Sequence, residues 1–263
     1  MSDALTKELA DGVLTLTLNK PEKLNALDAA LAKQLYEQLK AADNDSAVRV
    51  VVLTAAGRGF SAGADLARDK GEESGSDDLV GEGSLLSYAN QTVTLISQMS
   101  KPVIGAVNGI AAGVGVSYAL ACDIVIARES ASFLLAFSRI GLMPDGGATL
   151  WVAASVGRAR AMEMALMAEK ISASEAKEWG MISRVVADDD FESEVSALAK
   201  KLAAGPTRAY AKTKAAINAS SISLLSAALE RESKGQAELL KSKDNAEGVA
   251  AFLEKREAKF TGD

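Results

Sequence analysis

Residues 101–149 read KPVIGAVNGIAAGVGVSYALACDIVIARESASFLLAFSRIGLMPDGGAT, and this stretch decides the fold. It begins with Val103–Val107, a short apolar run of the kind that forms a buried strand. Asn108-Gly109 turns the chain, and small residues follow: Ala111, Ala112, Gly113, Val114 and Gly115. Residues 116–121 are apolar enough for a buried helix. A strand that passes through glycines into a helix leaves unpaired backbone N–H groups at the helix N-terminus, where an anion or a developing oxyanion can be held. The same glycines also suit a plain structural turn, and the residues alone leave both readings open.

Outward from this segment the pattern repeats. Residues 13–18 alternate apolar side chains with threonine, and 48–54 is a second apolar run; both are strand patterns. Between them Leu31, Leu35, Tyr36 and Leu39 fall at helical spacing. Residues 124–127, 133–137 and 182–186 read as further strands, and 84–99, 150–156 and 159–168 as helices. Ser172 with Glu175 three residues on is a capping-box pattern for a short helix that Gly180 stops. Strands alternating with helices predict an α/β fold. Beyond Asp190 four helical patterns follow, over 191–204, 206–218, 221–240 and 246–258, with Pro206 at a helix start. The chain therefore divides into a core, 1–190, and a helical C-terminal region, 191–263, that is not an independent domain.

Composition removes several function classes. The chain has 263 residues, a net charge of −6, 48% hydrophobic residues and no histidine. A Ser-His-Asp triad, a Cys-His pair and an HExxH zinc site are thus impossible, and acid–base chemistry falls to Asp, Glu, Lys or Tyr. The one cysteine, Cys122, lies in an apolar run and reads as a core residue. The acidic balance argues against nucleic acid as a partner, and no apolar run is long enough to span a membrane. MSDALTKELADG carries neither a secretory apolar core nor an arginine-rich transit pattern, so a cytoplasmic location is expected.

KPVIGAVNGIAAGVGVSYALACDIVIA resembles the signature of the crotonase (enoyl-CoA hydratase/isomerase) superfamily, and GRGFSAGADL, residues 57–66, resembles that family's other fingerprint. GLMPDGGAT, GRARAMEMAL and AKEWGMISRVV extend the likeness over nearly the whole chain, from Gly12 to Phe260. The resemblance implies a crotonase-like (ClpP/crotonase) spiral of strand–helix turns with a C-terminal helical region, packed as a homotrimer or a dimer of trimers. It implies an acyl-CoA thioester substrate and no separate cofactor, since coenzyme A is part of the substrate. By resemblance the backbone N–H groups of Ala64 and Val114 are the two oxyanion donors, with Ala62, Asp65, Leu66 and Gly113 beside them. NKPEKLNAL is similar to the family segment that lies against coenzyme A, with Lys23 near the phosphates and Ala26 beside the adenine. Lys259 and Phe260 match a C-terminal pair that often joins that site. On the residues alone, these lysines are solvated charges and Asp65 a helix cap. Residues 68–83, RDKGEESGSDDLVGEG, read as a surface loop or as a flap over the acyl pocket.

The reaction turns on carboxylates. Relatives that act as hydratases carry two glutamates, at positions that are Ser117 and Phe137 in this chain. From Gly113 to Gly147 only Asp123, Glu129 and Asp145 are acidic. Asp123 matches a structural position and Glu129 a polar turn. Asp145, after Pro144, stands where the family's enoyl-CoA and ring-epoxide isomerases carry their single acid/base, although Pro-Asp-Gly-Gly is also good turn chemistry. One carboxylate can take a proton from C2 and return it at C4 if the thioester oxygen is held by two donors. Apolar neighbours Phe137, Leu142 and Met143 would raise its pKa. The expectation is an isomerase with Asp145 as single acid/base. An enoyl-CoA hydratase, an aryl-CoA dehalogenase-like nucleophilic aspartate and a non-catalytic acyl-CoA binding protein are the alternatives.

Overall fold

β5 (Val103–Val107) is buried along its whole length, because it runs through the middle of a parallel array covered on both faces. Its neighbours, β3 (Val50–Ala55) and β7 (Ile124–Arg128), run parallel to it. The computed structural model describes residues 3–66 and 80–263; most of the 68–83 segment therefore lies outside the described residues. Among the described residues the sheet is completed by β1 (Leu5–Ala10), β2 (Val13–Leu18) and β10 (Arg184–Val186), in the order β1-β2-β3-β5-β7-β10. A second, smaller sheet joins β4 (Gly59–Ser61), β6 (Ile110–Ala112), β8 (Ser132–Leu134) and β9 (Ile171–Ser172). Three successive turns of the chain each give one strand to each sheet: β3 then β4, β5 then β6, β7 then β8. That is the spiral.

Strand alternation divides the core. Val51 and Leu53 of β3 face a large apolar cluster with α1 (Ala29–Asn44), α2 (Leu85–Gln98) and α3 (Val114–Ala121). Val50 and Val52 point the other way, onto Phe191, Leu198 and Ala199 of α6 (Phe191–Ala203). α4 (Ala148–Met167) breaks at Gly157, whose φ of 79° is a left-handed value, so the two helices read from the sequence are two arms of one kinked run. α5 (Ala173–Glu178) begins with the expected capping box, Ser172 and Glu175 bonding reciprocally. The chain ends in α7 (Thr207–Ser221), α8 (Leu225–Leu239) and α9 (Lys243–Glu254). No described helix is long and apolar enough to cross a membrane.

Several elements differ from the sequence reading: the short strands β4, β6 and β9 were not expected, and β1 and β8 also depart from it. β1 was not expected, because LTKELA lacks alternation. Most of its side chains are exposed, and it forms only as the antiparallel edge partner of β2, where charged residues protect a free strand edge. The strand expected over 133–137 stops at Leu134. β8 pairs with β6 only as far as Ala112↔Leu134, where β6 turns toward α3 and leaves nothing to pair with. Phe137 therefore sits in a 3-10 turn, Ala136–Ile140.

One buried ion pair ties the C-terminal helices to the sheet. Lys214 of α7 meets Asp123 at 2.8 Å, and Asp123 also accepts from the Val103 N–H at 2.7 Å. Lys214→Met leaves a largely buried carboxylate without its cation and is expected to destabilise the fold by about 2 kcal/mol, read from a urea melt.

Candidate active site

The site begins where two glycine turns touch. Gly113, between β6 and α3, has φ 54° and ψ −129°, a conformation closed to side-chain-bearing residues. Gly63, after β4, has φ 87°, and a Cβ there would meet the Ala112 carbonyl oxygen at 3.0 Å and the Gly113 Cα at 3.5 Å. This approach sets the backbones of Ala64 and Val114 side by side. Val114 is the first residue of α3, so its N–H has no intrahelical acceptor. The bridge between Leu27 and Ala64 runs through Leu27 N–H to Gly63 O and Asp65 N–H to Leu27 O, which leaves the Ala64 N–H unused. Among the described residues neither N–H has a backbone partner.

The loop from Asn19 to Leu27 is stitched to this strand. Asn25, fully buried with φ 56°, donates to the carbonyls of Ala56 and Gly59 and accepts from the Lys20 N–H. Ala62 N–H donates to Leu24 O at 2.9 Å, and Leu27 N–H to Gly63 O at 2.8 Å. Lys23 and Ala26 are thereby fixed beside Ala62 and Ala64. Lys23 Nζ pairs with Asp65 at 2.8 Å.

Asp145 is held from two elements, α3 and α8. Ser117, inside α3, donates its hydroxyl to the Asp145 carbonyl at 2.8 Å. Gln236 of α8 donates to Asp145 Oδ2 at 2.7 Å and to the Met143 carbonyl at 2.9 Å. Glu232, one helical turn earlier, accepts from the N–H groups of Gly147 and Thr149 at 2.6 and 2.9 Å and so caps the N-terminus of α4. Burial pushes the Asp145 carboxyl up to about 7; the Gln236 hydrogen bond opposes this and the charge of Glu232 adds to it. Burial likewise raises Glu232.

These parts share one cavity of about 540 Å³. Of the residues singled out in the sequence, Lys23, Ala26, Ala62, Ala64, Asp65 and Leu66 line it, as do Gly113, Val114, Phe137 and Asp145. Ser117 and Pro144 do not: Ser117 stands behind the wall, holding the Asp145 backbone. Lys259 and Phe260 also lie off the cavity, and the Lys259 N–H bonds Glu247. Arg58, Arg139, Leu85, Leu86, Leu240 and Phe252 complete much of the wall. Asn25, Glu232 and Gln236 were missed in the sequence. Their one signal is on α8, where the buried stripe Leu225, Ala228, Leu229 continues as Glu232 and Gln236.

Among the described residues the cavity thus offers two N–H donors without a backbone partner and one buried carboxyl, with apolar and cationic walls between. Among the described residues no acidic, cysteine or histidine cluster could hold a metal. Comparison with known proteins gives the family. The chain is 43% identical over 262 residues to 1,2-epoxyphenylacetyl-CoA isomerase of Escherichia coli (strain K12), covering all of both chains. It is 45% identical to a probable enoyl-CoA hydratase of Rhodobacter capsulatus, covering 97% of this chain and 96% of the other. A crystal structure of an enoyl-CoA hydratase from Mycobacterium avium subsp. paratuberculosis K-10 superposes with a TM-score of 0.90 at 45% identity, covering 98% and 99% of the two chains. The family model for enoyl-CoA hydratase/isomerase matches residues 8–263. The chain belongs to the enoyl-CoA hydratase/isomerase family of the crotonase superfamily.

Proposed function

We propose that the protein isomerises an acyl-CoA thioester through a single acid/base, Asp145, moving a double bond from position 3 to position 2 or rearranging a ring epoxide. The observation that carries this is the carboxylate inventory of the cavity. Among the described residues only Glu22, Asp65 and Asp145 line it with carboxyls; Asp65 is paired with Lys23, and only Asp145 is buried to a proton affinity near neutrality. The Ser117 hydroxyl is committed to a backbone carbonyl and Phe137 has no proton to give. Full-length likeness to the E. coli isomerase supports the same reading.

The steps balance on one proton. The thioester carbonyl accepts hydrogen bonds from the Ala64 and Val114 N–H groups. Asp145 takes a proton from C2, and the C–H electron pair moves into an enolate whose charge lies on that oxygen. The C3=C4 pair then takes the proton back from the carboxyl at C4, the enolate C1=C2 pair shifts to C2=C3, and a lone pair on the oxygen re-forms the carbonyl. A general base near pKa 7 suits this work. The rate is therefore expected to rise with pH through about 7 as Asp145 loses its proton, which a pH profile of kcat on 3-enoyl-CoA checks. No cofactor is required beyond the coenzyme A of the substrate.

Lys23, at the cavity wall, would meet the coenzyme A phosphates. Lys23→Ala is expected to raise KM about fivefold with kcat nearly unchanged, since it removes binding that is equal in ground and transition states. The hydratase names among the relatives favour one second reading, hydration of 2-enoyl-CoA. Wild-type protein assayed on 2-enoyl-CoA and 3-enoyl-CoA separates the two. Conjugation of the 3-enoyl thioester supports the isomerase, and comparable hydration of the 2-enoyl thioester by wild type and Asp145→Asn overturns it. Exposed apolar side chains on α4, Met162, Leu166 and Met167, are consistent with assembly into a trimer or pair of trimers, testable by sedimentation.

A further inference from the structure

We infer that Gln236 is a positioning residue that leaves Asp145 one proton-carrying oxygen, Oδ1; the inference rests on the reading of Asp145 as the acid/base. Gln236 is 3% exposed, and its Nε2 donates both to the Met143 carbonyl and to Asp145 Oδ2. A backbone carbonyl can only accept, so the amide must turn its NH2 group, not its oxygen, toward Met143. The same NH2 then reaches Oδ2, and a flip of the amide would forfeit both bonds. Oδ2 is engaged. Oδ1 is buried without a partner among the described residues, and so is Gln236 Oε1.

This arrangement has a chemical use. A proton on Oδ2 would face a donor hydrogen, so when the carboxyl is protonated the proton resides on Oδ1. A shuttle that collects at C2 and delivers at C4 then uses one oxygen for both transfers, without rotating the carboxyl between them. Ser117 fixes the main chain of the same residue, which leaves little freedom for Oδ1. The other ionisable groups acting on Asp145 come from two elements. Glu232, also on α8, opposes its ionisation; Tyr118, on α3, is fully buried, its hydroxyl pushed up by burial and further by the charge of Asp145. Lys23, Arg58 and Arg139 are the cations of the cavity wall. Among the groups acting on the carboxyl, Gln236 is the one that favours its charged form by a direct hydrogen bond.

The test needs no substrate at its first stage. Carbon-13 NMR of the aspartate carboxyl carbons, with the Asp145 signal identified by its loss in Asp145→Asn, follows the titration directly. Gln236→Met keeps the side-chain length and removes both donors; it is expected to raise the Asp145 midpoint by about one pH unit. Gln236→Glu, nearly isosteric, is expected to raise it at least as far, because a second carboxyl replaces the donor, and it serves if methionine unsettles α8. On 3-enoyl-CoA, kcat at pH 7 falls about fivefold in Gln236→Met and its pH profile moves alkaline by about one unit, while KM moves less than about twofold. An unmoved midpoint in both variants overturns the inference. A moved midpoint in a protein whose wild type does not turn over 3-enoyl-CoA keeps the control of Asp145 by Gln236 and overturns the isomerase reading alone.

Discussion

Asp145→Asn is expected to lower isomerase turnover by about 10³-fold, because it removes the proton acceptor while keeping an oxygen for the Gln236 donor. The same substitution is expected to stabilise the fold, and the pH dependence gives the sign. The carboxyl's proton affinity is raised from 3.8 to about 7 by burial. Between those values the folded protein holds a proton that the unfolded chain releases. The stability this group contributes is therefore fully present below its unfolded pKa and is lost as pH rises through about 7. At pH 8 the wild type carries a buried charge that the amide does not. The variant should be more stable there by on the order of 2 kcal/mol, with the gain vanishing in acid where both side chains are neutral. Loss of activity joined to gain of stability marks a residue kept for chemistry rather than packing. Paired urea melts at pH 4 and pH 8, beside the turnover assay, check both halves.

The second large effect is at the oxyanion donors. Val114→Pro deletes one N–H and, because the Val114 side chain is buried in the main core, also gives up some packing. Proline is tolerated at the first position of a helix, and that N–H makes no helical bond. The expected loss is about 10²- to 10³-fold in kcat, the size seen when one oxyanion donor is removed, in a protein that still folds. A variant that folds and retains full turnover would take the oxyanion role away from Val114.

The two donor positions were marked by resemblance and by the glycines before them, whereas their supports lie far away along the chain. Glycines announce backbone work: Gly63 and Gly113 hold φ values that other residues resist, and the residue after each supplies an N–H whatever its side chain. Asp145 was singled out by resemblance, because on the residues alone Pro-Asp-Gly-Gly reads as a turn. The alternating strands and helices read correctly because their periodicities are local. β1 did not, because its strand conformation comes from pairing with β2 and not from its own residues. Gln236 and Glu232 lie 91 and 85 positions from the groups they hold, and a polar pair on a helical stripe looks like any solvated face until the helix is docked. Asn25 was hidden in a lysine-rich turn whose charges drew attention from the one side chain that folds inward. The second sheet, built from strands of two or three residues, is too short for a period to declare itself.

The proposed isomerisation depends on one carboxyl carrying one proton between two carbons of the acyl chain. The most direct measurement is a single turnover of 3-enoyl-CoA deuterated at C2, run in ordinary water, with the position of the label read by mass spectrometry and NMR. The account predicts conjugated product with deuterium carried to C4, and no such product from Asp145→Asn. Product whose C4 hydrogen comes wholly from solvent, formed equally well by Asp145→Asn, would contradict it.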